Sequence, residues 1–250
     1  MSQERTFSIH VDVTNPGQYF ACCGLLELAH RLWPGAEGWF GEGGFSIRAS
    51  SANEPLLAKL IECLKGCTLT SADPNVDDKT CPIRMANGFA MRIDWWLHKE
   101  APSSRLKTWA GQQGGLKIAL AMKDKLPASN EGMLNGGVNA PAPYYFDSRR
   151  FAHALDAGFS LDVQQMDVQA YPAVELLALI GLQRFRPSST GDRWSFAYQI
   201  WTKPLMAATA SAICAGAVTG HTGYQYRVRF RDDQKRFKAF TQATITQPVA

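Results

Sequence analysis

The sequence has no apolar run approaching the roughly 20 residues that cross a bilayer, and its opening, MSQERTFSIHVDV, has no cationic head followed by an apolar stretch. A membrane span and a secretory signal are therefore not expected, and the cytoplasm is the expected compartment. There is no HExxH pair, no G-x-S-x-G elbow and no phosphate-binding P-loop. Charge is sparse, at 19% of residues against 46% hydrophobic, which excludes a disordered chain. Its 250 residues are enough to bury a sizeable core. Cysteines are few for the length, six in all, so a disulfide framework is not expected. Cys63, Cys67 and Cys81 lack a convincing fourth zinc ligand, and buried thiols are the simpler reading. No metal and no cofactor are expected.

What charge there is sits unevenly. The net value is +4, and the segment from His221 onward holds six cations (Arg227, Arg229, Arg231, Lys235, Arg236, Lys238) against Asp232 and Asp233, which is the whole formal excess. A local excess points to a polyanion more than a uniform one would.

The regular elements follow from periodicity. TFSIHVDV alternates through Phe7, Ile9, Val11 and Val13, a half-buried strand. TNPGQYFACCGLLELAHRLWPG then predicts a helix, with Asn15 as its cap, Pro16 at its first position and Gln18 reaching back. Its apolar stripe runs through Cys22, Leu25, Leu26, Ala29, Leu32 and Trp33, with Glu27, His30 and Arg31 opposite. Further strands are read at GFSIR, GFAMRID, FSLDV and WSFAYQIW, and further helices at LLAKLIECL, GLKIALAMKDKL, PAVELLALIGLQRF and PLMAATASAICAGAV. YQYRVRFR and KRFKAFTQATI read as a hairpin. The whole predicts an α+β protein of mixed or antiparallel sheets with packed helices, one compact unit over residues 1–250. A strand followed by a proline-started helix occurs twice, with Gly24-Leu25 echoed by Gly181-Leu182. That leaves open two ferredoxin-like halves, 1–100 and 145–250, joined by a loop-rich segment, 101–144.

Three clusters carry the chemistry of nucleic-acid contact. The string KTWAGQQGG offers Trp109 as a stacking plane, Lys107 as a charge and the amides of Gln112 and Gln113, on glycines that let backbone approach a ligand. Asn135 and Asn139, in LNGGVNAPAP, extend the same reading; the competing one plugs Trp109 into the core. The second cluster is Arg184, Arg186, Ser188, Ser189, Thr190 and Arg193, a turn whose hydroxyls and cations suit a phosphate. In the third, the strand period puts Tyr224, Tyr226, Val228 and Phe230 inward and Arg227, Arg229 and Arg231 outward, with Arg236 and Lys238 alternating in the same way. A solvated edge that resists sheet-to-sheet pairing is the competing account of that row. Catalytic candidates are weak. His10 on the polar face of the first strand suits a base for RNA cleavage, and Asp147 and Asp156 beside Arg149 and Arg150 read as ordinary ion pairs.

Five segments in series, VDVTNPGQYFACCGLLELAHRLWPGAEGWF, DWWL, LKTWAGQQ, FDSRR…LDAGFSLD and PAVELLALIGLQRFRP, resemble the small large-subunit family of type I-U (I-G) CRISPR Cascade complexes over residues 6–200. The resemblance implies a non-enzymatic subunit at the crRNA 5′-handle end. It would help recognise the protospacer-adjacent motif in target double-stranded DNA, support R-loop opening, and help recruit the helicase-nuclease. Other Cascade backbone subunits would be its neighbours. In RNA-guided systems base pairing supplies sequence specificity, and protein reads the short adjacent motif and the backbone. Large subunits of type I systems often end in a helical bundle; this chain ends in a basic hairpin, so the bundle's role with the displaced strand does not carry over. Two other readings stand beside it: a repeat-RNA endonuclease with His10 as base, and an architectural subunit bridging protein neighbours.

Overall fold

The computed structural model describes residues 5–50, 54–77, 80–97, 102–110, 113–127, 132–140, 142–150, 168–231, 235 and 237–246. Gln112, Arg236, Asp156 and the strand expected at FSLDV lie outside them.

Asn15 starts the longest helix, α1 (Pro16–Leu32), as its sequence requires. Its side-chain oxygen accepts from the Gly17 and Gln18 N–H groups, and Pro16 needs no partner at the first position. The Gln18 side chain reaches back to the Asp12 N–H at 2.8 Å. The amphipathic stripe is a correction: α1 is buried on every side from Pro16 to Ala29, Glu27 included. The second central helix, α4 (Pro172–Arg184), is buried from Pro172 to Leu182. A helix apolar all round belongs in a core, and these two form it together. The remaining helices, α2 (Leu56–Gly66), α3 (Gly115–Asp124) and α5 (Ala207–Cys214), are amphipathic or short and lie outside this pair.

Helices α1 and α4 run side by side in the same direction. At one end Gly17 and Glu175 both meet the Phe146–Asp147 backbone; at the other Arg184 pairs with Glu27. They approach through glycine. A Cβ on Gly24 would lie 2.1 Å from the Leu177 carbonyl oxygen, and one on Gly181 would lie 2.1 Å from that of Phe20. Each glycine faces the residue four positions before the other, so the echo in the sequence is a physical contact.

Four antiparallel sheets flank the pair. One has the order β1-β3-β2-β11, built from β1 (Arg5–His10), β3 (Gly44–Ala49), β2 (Glu37–Gly41) and β11 (Leu205–Met206). A second has the order β13-β12-β10-β9, from β13 (Lys238–Phe240), β12 (Gly223–Phe230), β10 (Ser195–Gln199) and β9 (Ser188–Ser189), and β14 (Thr244–Thr246) also joins β12. Smaller sheets are β4 (Thr68–Ser71), β5 (Ile83–Ala86) and β6 (Met91–Ile93), and the pair β7 (Val138–Ala140) and β8 (Val168–Ala170). The α+β class is therefore the one the periodicity predicts. In a ferredoxin-like βαββαβ unit the last strand returns to the sheet of the first. Here β4 pairs with β5 and β8 with β7, so neither half closes that way among the described residues.

Aromatic rings fill the space between helices and sheets. Tyr19 on α1 stacks on Tyr198 at 4.1 Å and on Phe40 at 5.2 Å, and the Trp201 indole donates to the Gly38 carbonyl at 2.7 Å. Of the thiols, Cys67 donates to the Leu64 carbonyl and Cys81 lies 2.6 Å from the Ser71 hydroxyl. Among the described residues no helix is long and apolar enough to cross a membrane.

Buried polar groups fix the two helix starts. Asn15 donates to Asp147 at 2.8 Å and accepts from the Ser148 N–H, while Asp147 is held by Arg149. Glu175 is fully buried and accepts from the Phe146 and Asp147 N–H groups at 3.2 and 3.1 Å. Burial, with Asp147 beside it, pushes the Glu175 carboxyl up to about 8 against those hydrogen bonds. Between the ordinary glutamate value and about 8 the folded state holds a proton that the unfolded chain has released. Stability therefore falls as pH rises through that window. Urea titrations across it should show the midpoint dropping in the parent and holding nearly level in Glu175→Gln; equal slopes would remove Glu175 as the cause.

Candidate nucleic-acid interface

The three clusters proposed from sequence fare differently once folded. Trp109 is 4% exposed, packed edge-on against Trp95, Trp96 and Tyr144 at 5.0–5.9 Å between ring centroids. It cannot stack on a base, a correction to the reading of KTWAGQQGG. The ring supplies the core beneath a loop, and a Cβ on Gly115 would already touch it at 3.4 Å. The Gln113 side chain accepts from the Ala110 N–H at 3.1 Å and so closes its own turn. Asn135 accepts from Arg149 at 2.9 Å. Asn139 is exposed, with its carbonyl taken by Lys125.

The second cluster divides. Arg184 is a core ligand: with Arg31 it clamps the buried Glu27 carboxylate. Burial raises the Glu27 pKa, but the Arg184 hydrogen bond and the two guanidinium charges hold it below the usual range. Arg186 donates to the Gln183 carbonyl at 3.1–3.2 Å, closing the exit of α4, and burial lowers its pKa. The Ser188 hydroxyl donates to Ala197 across the sheet at 3.3 Å. These three hold the fold together, because a helix exit and a strand pairing each have carbonyls to satisfy. Ser189, Thr190 and Arg193 remain exposed.

The hairpin forms as expected, but one of its cations is covered and another changes face. Arg227 and Arg229 are exposed on the outer face, where Arg227 pairs with Asp192 at 2.5 Å. Arg231, expected beside them, is 7% exposed, its guanidinium 3.4 Å from the centroid of the Tyr145 ring. The Tyr145 segment covers that end of the face, so Arg231 is a packed cation, not a phosphate ligand. Lys238 pairs with Phe230 across the strands and so shares the inner face, opposite Arg227 and Arg229.

That displacement brings Lys238 into a group the sequence did not assemble. Its ammonium lies 4.8 Å from the centroid of the Trp194 ring; Arg193 lies 5.1 Å from the same ring; and the Lys238 N–H donates to the Thr108 carbonyl, next to Lys107. Lys107 itself lies 5.2 Å from the Trp109 centroid. Burial, then the charges of Lys107 and Arg193, lower the Lys238 pKa to about 8. Burial also lowers that of Lys107. Among the described residues no carboxylate pairs with Lys107, Arg193 or Lys238. Trp194, the first residue of the strand read at WSFAYQIW, is the half-buried ring at the centre, packed edge-on to Phe230 at 5.5 Å. Strand parity hid it, since parity assigns a face without saying where that face ends.

The catalytic candidates do not assemble with this group. His10 ends β1 exposed, and Asp147 is committed to Asn15 and Arg149. No family model, no curated protein and no solved structure matches the chain.

Proposed function

We propose that the protein is a non-catalytic, nucleic-acid-contacting subunit of a crRNA-guided type I CRISPR effector of the Cascade kind, working in the cytoplasm. One observation carries the nucleic-acid part: cations from three separate segments converge at the hairpin's end, with no acid of the described residues to neutralise them. Such a surface suits a polyanion. The five motifs in series supply the assembly, and with it the crRNA 5′ handle, target DNA, the other backbone subunits and the helicase-nuclease as partners. Adjacent-motif recognition and R-loop support rest on that resemblance. Trp109 takes no part in them; among the described residues, exposed Asn139 is an amide placed to meet a base edge.

The purified chain is expected to retain labelled RNA and DNA strands in a native gel and to leave them uncut with magnesium or manganese added. Ultraviolet crosslinking within the assembled complex should mark the peptides holding Lys107, Trp194 and Lys238. Metal-dependent cutting lost on a point substitution would make the protein a nuclease instead. Absence of every crosslink would make it an architectural bridge.

A further inference from the structure

We infer that Lys107, Arg193 and Lys238 form a seat for one phosphate group of a nucleic-acid strand, and that filling it draws a proton onto the protein; the inference rests on the function proposed above.

The way these cations are held points to an anion. A cation buried at a protein surface is ordinarily held by a carboxylate, which orients it and cancels its charge. Here aromatic rings do the orienting: Trp109 under Lys107, and Trp194 beside both Arg193 and Lys238. A ring attracts a cation through its quadrupole and leaves the net charge intact. Three like charges are thereby kept close, with both lysines half-buried, an arrangement that is unfavourable until a negative group arrives. Two ammonium groups and one guanidinium match the several acceptor oxygens of a phosphate.

Among the described residues, the groups facing Lys238 are Lys107 and Thr108 from one segment, Arg193 and Trp194 from the loop before β10, and Phe230 from β12. Asp192, the sequence neighbour of Arg193, is taken by Arg227. With its pKa near 8, Lys238 is partly neutral in mildly alkaline solution. A phosphate beside it restores the charge, so binding and protonation are linked, and affinity falls as pH rises through that value. A nucleic-acid strand is favoured over free phosphate because exposed Lys235 in the hairpin turn, and exposed Arg229 on the strand's other face, can meet backbone that runs on past the seat.

The test uses the full chain and a short fluorescein-labelled DNA strand, read by anisotropy at about pH 7 and about pH 9. Inorganic phosphate, pyrophosphate and polyglutamate serve as competitors. The parent should lose about tenfold in affinity between the two conditions, the effect of one linked proton. Lys238→Met should bind about tenfold more weakly at the lower pH and show little further loss. It should melt no lower than the parent, because it removes a desolvated charge. A merely structural lysine would instead lower the melting temperature and leave the pH profile alone. If Lys107→Met and Lys238→Met keep the parent's affinity and pH profile while Arg229→Ala weakens binding, the seat is refuted and the nucleic-acid reading stands. If phosphate or pyrophosphate raises the Lys238 pKa but no strand binds, the seat is a free-phosphate site and the nucleic-acid reading fails. Polyglutamate competing as well as unlabelled DNA would show a general anion surface and overturn the seat.

Discussion

Gly24→Ala is expected to cost more than about 3 kcal/mol, the top of the usual range for overpacking, and so to remove much of a domain's stability. The added methyl would meet the Leu177 carbonyl oxygen at 2.1 Å and its carbon at 2.9 Å. Both are backbone atoms of a buried helix, so no side chain can swing away, and truncating a neighbour should not rescue the variant. Gly181→Ala meets the Phe20 carbonyl at the same distance and should behave alike. Gly66, at the end of α2, has nothing within 4 Å of its Cβ position, so Gly66→Ala is the control. There the better helix propensity of alanine should leave stability unchanged or raise it by up to about 1 kcal/mol. Urea denaturation followed by circular dichroism ranks the three. Equal stability of the Gly24 and Gly66 variants would show that α1 and α4 do not cross where the structure has them.

Asn15→Asp is the second large effect, and it runs against local propensity. Aspartate caps a helix as well as asparagine does, so α1 considered alone predicts no loss. The Asn15 amide, however, donates to the buried Asp147 carboxylate at 2.8 Å. Aspartate removes that donor and sets a second carboxylate against the first, with no exposure for either residue. A cost of about 3–5 kcal/mol follows from an uncompensated buried charge. The loss should shrink in acid, where one of the two carboxyls takes up a proton, and grow towards neutrality. A variant as stable as the parent at neutral pH would mean that the Asn15–Asp147 contact does not form.

Much of the fold was legible because local and global signals agree. Asn15 and Pro16 announce a helix start that the structure realises, although Gln18 reaches past the cap to the Asp12 N–H, and the alternating Tyr224–Phe230 segment is the strand its period predicts. Parts of the site were not legible, for four reasons. The face of Glu27 was misjudged because helical periodicity supposes one wet side, and α1 has none from Pro16 to Ala29. Lys238 changed face because the parity of a returning strand depends on the register of the turn before it, which residue types alone do not fix. Trp109 was misplaced because a loop tryptophan carries no period. Only the packing of Trp95, Trp96 and Tyr144 shows which ring is needed inside. Arg231 was covered by Tyr145, a residue far away in sequence that no strand pattern could name.

The central claim is that the basic end of the β12–β13 hairpin holds nucleic-acid backbone. The most direct measurement is the slope of log affinity against log salt for the full chain on a labelled strand. The parent would be compared with a variant carrying Lys107→Met, Arg193→Met, Lys238→Met and Arg229→Ala. The account predicts that this variant no longer neutralises about two of the phosphates the parent holds, hence a slope shallower by about 1.5 and a large drop in affinity at low salt. An unchanged slope and affinity in a variant that still folds would contradict it.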